Sequence, residues 1–432
     1  MFEPLTRWKK TDREQQMLFS FVAIMILLMV VILAVTAIQC RWSDLNNYYS
    51  NAGDVLHGLI PYSEMKFEYP PLALVFMIVP RLIAEDLQGF YYASALLSYL
   101  FFVIGIFFML KIADEVEQPR SRIYVMALGT LLFTNIFIVA RNDVYPTVMV
   151  IISIWFYLRK SYGLSFAMMA LGTMTKIYPV ILIPVLLIPF LAKKDWRNAA
   201  KYLGISATVC FLIEIPFLIA DPSTAFAYLT YHSARGIQIE SITASFLLFL
   251  NAFACPGLVT VNFGYGSDNI AGATADAIAP CMSILMAAVF VFLIWILVRI
   301  HRARIDDWRR LTLLVGLISV TTLMLFISVN KVYSAQYAIW ILMLLPLAIM
   351  ASSYENWRRR LLAISLIYAV LCMLNGFAYI YLGLPDLNPA AVLIVFLRNL
   401  VHLAMTAVLI YMCWLETRPQ SINVKMSDVT AI

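Results

Sequence analysis

The chain has 432 residues, of which 62% are hydrophobic and 13% charged, whereas soluble domains are about 45–50% apolar and roughly 25% charged. With a mean hydropathy of +0.85, this composition excludes a soluble globular domain. The net charge of +6 is spread over short connections between apolar runs, so it is not a nucleic-acid signature. An all-α integral membrane protein is expected: a polytopic helical bundle of about 12 spans with external interfacial helices.

Arg7, Lys9, Lys10 and Arg13 precede a run, Phe21 to Ile38, that contains no charge. It is too long for the apolar core of a cleaved leader and reads as a retained helix. In chain order the predicted spans are 17–39, 89–110, 123–140, 144–158, 162–175, 178–192, 202–220, 272–298, 311–329, 336–350, 361–381 and 390–414. Those at 162–175 and 178–192 are short and fit either two crossings or one re-entrant pair. The domain reading is a cytoplasmic segment 1–16, a transmembrane unit 17–414 and a cytoplasmic tail 415–432. With the N-terminus inside, most of the 31 Lys+Arg fall on the cytoplasmic side, as the positive-inside rule requires. The external cations are then Arg41, Lys66, Arg81, Arg141, Lys176, Arg235 and Lys331.

Two external segments are long, 40–88 and 221–270. Each holds an apolar piece, Pro71 to Pro80 and Ser245 to Ala254, that is too short to span and reads as an interfacial helix. No repeat is visible. Of the six cysteines, Cys255 and Cys281 flank one predicted external loop and are placed to pair; no spacing suggests a metal, and no cofactor is expected.

Polar residues cluster at the external turns. The first loop carries Asp44 just past the outer end of the first span, followed by Tyr48, Tyr62 and Tyr69. Partial burial there suits a carboxylate to general-base work, and the aromatics suit a sugar or a lipid headgroup; a solvated loop and an interfacial aromatic belt are the plainer readings. The other clusters are Arg141-Asn142-Asp143, Lys176-Ile177-Tyr178-Pro179, the polar stretch from His232 through Arg235 to Ser241, and Asn330-Lys331-Val332-Tyr333-Ser334-Ala335-Gln336-Tyr337. Arg141 and Asp143 either pair with each other or serve a ligand. Cations at helix ends also anchor lipid headgroups. Converging, these segments make a cationic pocket facing one carboxylate, which suits a phosphate leaving group. Arg398 and His402 lie four residues apart on the last span, and a charge there needs a partner; Glu214 is the candidate.

The ordered set Asp44…Gly58-x-x-Pro61-Tyr62…Tyr69-Pro70-Pro71-Leu72, then Lys176-x-Tyr178-Pro179, then Lys331-x-Tyr333-Ser334-x-Gln336-Tyr337 resembles GT-C-fold membrane glycosyltransferases. It is most similar to the bacterial polyprenol-phosphate-mannose-dependent α-mannosyltransferases and to the catalytic subunit of GPI mannosyltransferase 1. The resemblance covers about residues 41 to 347. It implies a polyprenyl-phosphate-linked sugar donor, mannose above all, and a lipid or glycan acceptor. It maps the general base onto Asp44. The donor phosphate falls to Lys176, Arg235 and Lys331. The resemblance puts Tyr333 and Gln336 near the sugar, and the polar clusters themselves offer Tyr48, Tyr62, Tyr69, Arg141, Asp143 and His232 as further substrate contacts. Two departures stand out: Asp44-Leu45-Asn46 replaces a paired-acid pattern, and Gln336 stands where the bacterial enzymes often carry histidine. The expected product is a hexosyl group moved with inversion on the outer face of a bacterial plasma membrane. A transporter or flippase of a lipid-linked sugar is the rival, built on Arg398, Glu214 and the short spans; a non-catalytic subunit is a third possibility.

Overall fold

The computed structural model describes residues 12–39 and 44–418. Arg41 and Trp42 of the first loop lie outside the described residues, as do 1–11 and 419–432. All twelve predicted apolar runs are helical. They form α1 (Asp12–Gln39), α4 (Leu87–Glu115), α5 (Arg120–Ala140), α6 (Val144–Leu158), α7 (Tyr162–Thr175), a 3-10 turn Tyr178–Leu182 continued by α8 (Ile183–Ala192), and α9 (Trp196–Ala220). The second half adds α12 (Ala273–Leu285) with α13 (Ala287–Arg302), α14 (Trp308–Val329), a 3-10 turn Ala335–Tyr337 leading into α15 (Ala338–Ala351), α16 (Glu355–Tyr381) and α17 (Pro389–Glu416). Among the described residues, seven of these helical runs are long and apolar enough to cross a membrane on their own. The chain is an all-α polytopic membrane protein.

The shorter runs are the buried ones. Every residue of α15 from Ala338 to Met350 is buried, and α6 is buried without a break from Val144 to Ile151. Fifteen residues of α6 rise only ~22 Å, against ~30 Å of hydrocarbon. Longer helices surround these short central ones. α9 is the opposite extreme: only Ala199, Ser206 and Glu214 are buried along its 25 residues, and Ile219 is 79% exposed, the profile of a lipid-facing helix. Close helix approach is set by small residues. At Gly316 of α14 an added Cβ would lie 3.1 Å from Leu347 Cβ and 3.3 Å from its carbonyl.

The loop 40–88 holds two helices, α2 (Leu45–Leu56) and α3 (Ala73–Ile83); the apolar piece Pro71 to Pro80 foreshadows the second. Gly58 ends α2 with φ +97, a left-handed position just past the C-cap, where glycine carries no Cβ penalty. The loop 221–270 contains α10 (Ala227–Ala234) and α11 (Ile242–Phe253), and also a small antiparallel sheet that the sequence does not announce. Its strands, β1 (Ile237–Gln238), β2 (Thr260–Gly264) and β3 (Ser267–Ala271), run in the order β1-β3-β2. Tyr265 and Gly266, with φ of +54 and +68, make the two-residue turn whose twist matches a hairpin. The Cys255–Cys281 pairing does not occur: both thiols are free and exposed.

Candidate active site

The turn joining α5 to α6 is three residues long, and each has a distinct task. Arg141 follows the carboxyl end of α5 and Asp143 precedes the amino end of α6, so each charge opposes the partial charge of its helix end. Lys176 caps α7 in the same way. Arg141 and Asp143 do not pair with each other. The Arg141 guanidinium contacts the carboxylate of Asp44, with side chains 26% and 29% exposed. Asp143, with its side chain almost wholly buried, accepts from Lys176 Nζ at 2.7 Å and from the Trp340 indole N–H at 2.6 Å, both on Oδ1. Burial pulls Arg141 down from the usual arginine range, opposed by the nearby Asp143 and Glu240; it remains the cation that holds Asp44.

An aromatic wall backs Lys176. Trp340 stacks between Tyr178 and Tyr337 at centroid distances of 4.0 and 3.8 Å, and the ammonium lies 5.4 Å from the Trp340 ring and 5.8 Å from Tyr337. Tyr178 is fixed by Thr147, 3.0 Å from its hydroxyl. Arg235, Asp143, Glu240 and Arg141 all lie near enough to act on the Tyr337 phenol. Arg235 is half-buried, and its Nε makes no hydrogen bond. Lys331 and Gln336 are both half-buried.

The first loop packs beside the Arg141–Asp143 turn, with Tyr48 near Asn142 and Asp143. The hydroxyls of Tyr48 and Tyr69 meet at 3.2 Å, and Tyr62 donates to the Tyr69 carbonyl at 2.6 Å. Burial raises all three phenols, so they stay neutral. Glu68 hydrogen-bonds the Tyr231 phenol. The hairpin turn closes over this pair: an added Cβ at Gly266 would sit 3.4 Å from Tyr231 Oη and 3.6 Å from Glu68 Oε2.

Several sequence expectations change. Tyr333 is fully buried, bonded to Tyr368 at 2.6 Å and covered by the Arg398 guanidinium at 4.0 Å; it supports the site from below and is not placed to meet a sugar. Asp143, fully buried, orients Lys176 and does not face the cleft. Tyr62 is mostly buried against Phe67, Phe217 and Tyr228. The His232 side chain lies outside the described part of the structure. Glu214 accepts from Tyr228 at 3.3 Å and is not the partner of Arg398, which pairs with Glu240 at 3.7 Å. This removes one support of the transporter reading. Trp340, Tyr337 and Glu240, which lie in or beside the polar clusters read from the sequence, contact or bear on the same residues. Their signal is modest: a tryptophan and a tyrosine just after a polar turn, and a carboxylate in an apolar chain. Among the described residues no group of three or more His, Cys, Asp or Glu side chains is arranged to hold a metal.

Comparison with known proteins bears on the class of the chain. A GPI mannosyltransferase 1 of Dictyostelium discoideum is 25% identical over 368 residues, covering 75% of this chain and 76% of that protein. The sequence profile of glycosyltransferase family 87 matches residues 67–329, which include the Arg141–Asp143 turn, Lys176, Arg235 and Glu240. The chain is therefore a polytopic membrane glycosyltransferase, and it belongs to glycosyltransferase family 87.

Proposed function

We propose that the protein transfers a mannosyl group from a polyprenyl-phosphate donor to an acceptor hydroxyl on the external face of a bacterial plasma membrane, with both termini in the cytoplasm. One observation carries the reading. The Arg141-Asn142-Asp143 turn gathers the Asp44 carboxylate and the Lys176 ammonium onto three consecutive residues, next to the half-buried Arg235. On this reading a carboxylate base and phosphate-binding cations act side by side, and the polyprenyl chain of the donor lies between helices.

The reaction is a single displacement with inversion. Asp44 takes the proton of the acceptor hydroxyl as its oxygen bonds to the anomeric carbon. The bond from that carbon to the phosphate oxygen breaks, and the electron pair leaves with the phosphate. Lys176, Arg235 and Lys331 steady the charge that develops there, the role of preorganised cations in a water-poor site. Arg141 holds Asp44 before substrate enters; a phosphate arriving beside it competes for the guanidinium and frees the carboxylate. Of the expected substrate contacts, Gln336 and Tyr69 are half-buried and are the candidates to meet the sugar or the acceptor, whereas Tyr48 is buried.

The test is transfer by the purified protein in lipid nanodiscs with radiolabelled polyprenyl-phosphate mannose and a glycan or glycolipid acceptor. Asp44→Asn should lower kcat by about 10²–10⁴-fold, the usual contribution of a positioned base, while donor binding persists. Unchanged turnover in Asp44→Asn would sink the assignment of Asp44. Donor-independent uptake of sugar into vesicles, with no transfer, would return the chain to the transporter class.

A further inference from the structure

We infer that the buried pair Glu240–Arg398 is a positioning device that locks the 330–337 turn to the 235–241 segment and so fixes Lys331, Gln336 and Arg235 relative to one another. The inference rests on reading this cleft as the donor-phosphate site.

The lock is a ladder of side chains and backbone. Gln238 donates its backbone N–H to the Lys331 carbonyl at 2.9 Å. Its side-chain oxygen accepts from the Tyr333 N–H at 3.2 Å, and its amide donates to Glu240 Oε2 at 2.8 Å. Glu240 Oε1 accepts from the Ala335 N–H at 3.2 Å and from the Asn375 amide of α16. Residues 331, 333 and 335 are thus held at alternate positions by two residues, as a neighbouring strand would hold them.

A carboxylate this deep needs a counter-charge, and α17 supplies it. Glu240 is 6% exposed and Arg398 is 0% exposed. Arg398 Nη1 lies 3.7 Å from Glu240 Oε1, and its Nη2 donates to the Glu240 carbonyl. Asn399 adds bonds to the carbonyls of Glu240 and Ser241 at 3.2 and 3.1 Å. Removing either charge leaves the other buried without compensation. Three widely separated stretches of chain therefore meet at one carboxylate. Groups that stabilise a leaving phosphate act only if they are placed beforehand, and the lock places them.

The test separates this inference from the proposed activity. Val332→Cys is introduced into the full-length protein in proteoliposomes, and its reaction with a membrane-impermeant maleimide is followed at peptide level by mass spectrometry. Glu240→Gln removes the charge and sets its amide against that of Gln238; Gln238→Leu removes one rung without leaving a buried charge and serves where Glu240→Gln fails to fold. Labelling at 332 should rise at least about fivefold in either variant. The donor KM should rise roughly tenfold, the effect of about one charge-assisted hydrogen bond, with less change in kcat. Unchanged labelling and KM in the folded fraction of both variants overturns the lock, whatever the catalytic result. Raised labelling in these variants, when the unaltered protein itself transfers no sugar, supports the lock and overturns the activity.

Discussion

Asp143→Asn isolates the electrostatic part of the Arg141–Asp143 turn. The substitution keeps an oxygen for the Trp340 N–H, now 2.6 Å from Asp143 Oδ1, and removes the negative charge that Lys176 meets at 2.7 Å. Removing one partner of a fully buried pair costs about 3–5 kcal/mol. Lys176, however, keeps 20% of its side chain exposed, so its ammonium can turn toward water. The expected loss falls to about 1.5–3 kcal/mol, the range for a hydrogen bond to a charged group. Denaturant unfolding in micelles gives the stability change. A cycle with Lys176→Met gives the coupling, which should recover most of that figure, and kcat/KM should fall from about tenfold to a hundredfold or more, at 1.36 kcal/mol per decade. Coupling below about 0.5 kcal/mol, the scatter expected for independent sites, would refute the claim that Asp143 acts by holding Lys176.

Other positions give independent checks. Trp340→Phe keeps an aromatic ring between Tyr178 and Tyr337 but leaves Asp143 Oδ1 without its indole donor; thermal unfolding should show a loss of about 1–3 kcal/mol. Gly58→Ala meets no atom within 4 Å at φ +97, so calorimetry should find only backbone strain, about 1–2 kcal/mol. Gly316→Ala forces α14 from α15 at Leu347 and should cost about 1–3 kcal/mol through overpacking. Arg141→Met, which strips Asp44 of its partner, should depress transfer more than Arg81→Met; Arg81 sits over Tyr49 at 4.6 Å, outside the cation cluster, and equal losses of activity would argue against a special role for Arg141.

The membrane class and the twelve apolar helices follow from composition and run length, because only a helix can carry some twenty apolar residues across lipid with its backbone satisfied. The polar turns were equally legible: in a chain with 13% charged residues, short clusters of Arg, Lys and Asp between spans are conspicuous. The short apolar piece Pro71 to Pro80 was legible too, and it is helical as α3. Pairing was a different matter. Arg141 and Asp143 are two residues apart, yet they serve Asp44 and Lys176; Arg398 takes Glu240 in place of Glu214. Partners of this kind are chosen by which helix ends meet, and nothing local in the chain encodes that. The β1-β3-β2 sheet escaped notice for a related reason, since strands of two to five residues gain their stability from neighbours and carry little pattern of their own. Sequence named the charged groups of the turns between apolar runs, and tertiary structure decided which of them touch and which are buried, because burial and distance are properties of the packed bundle.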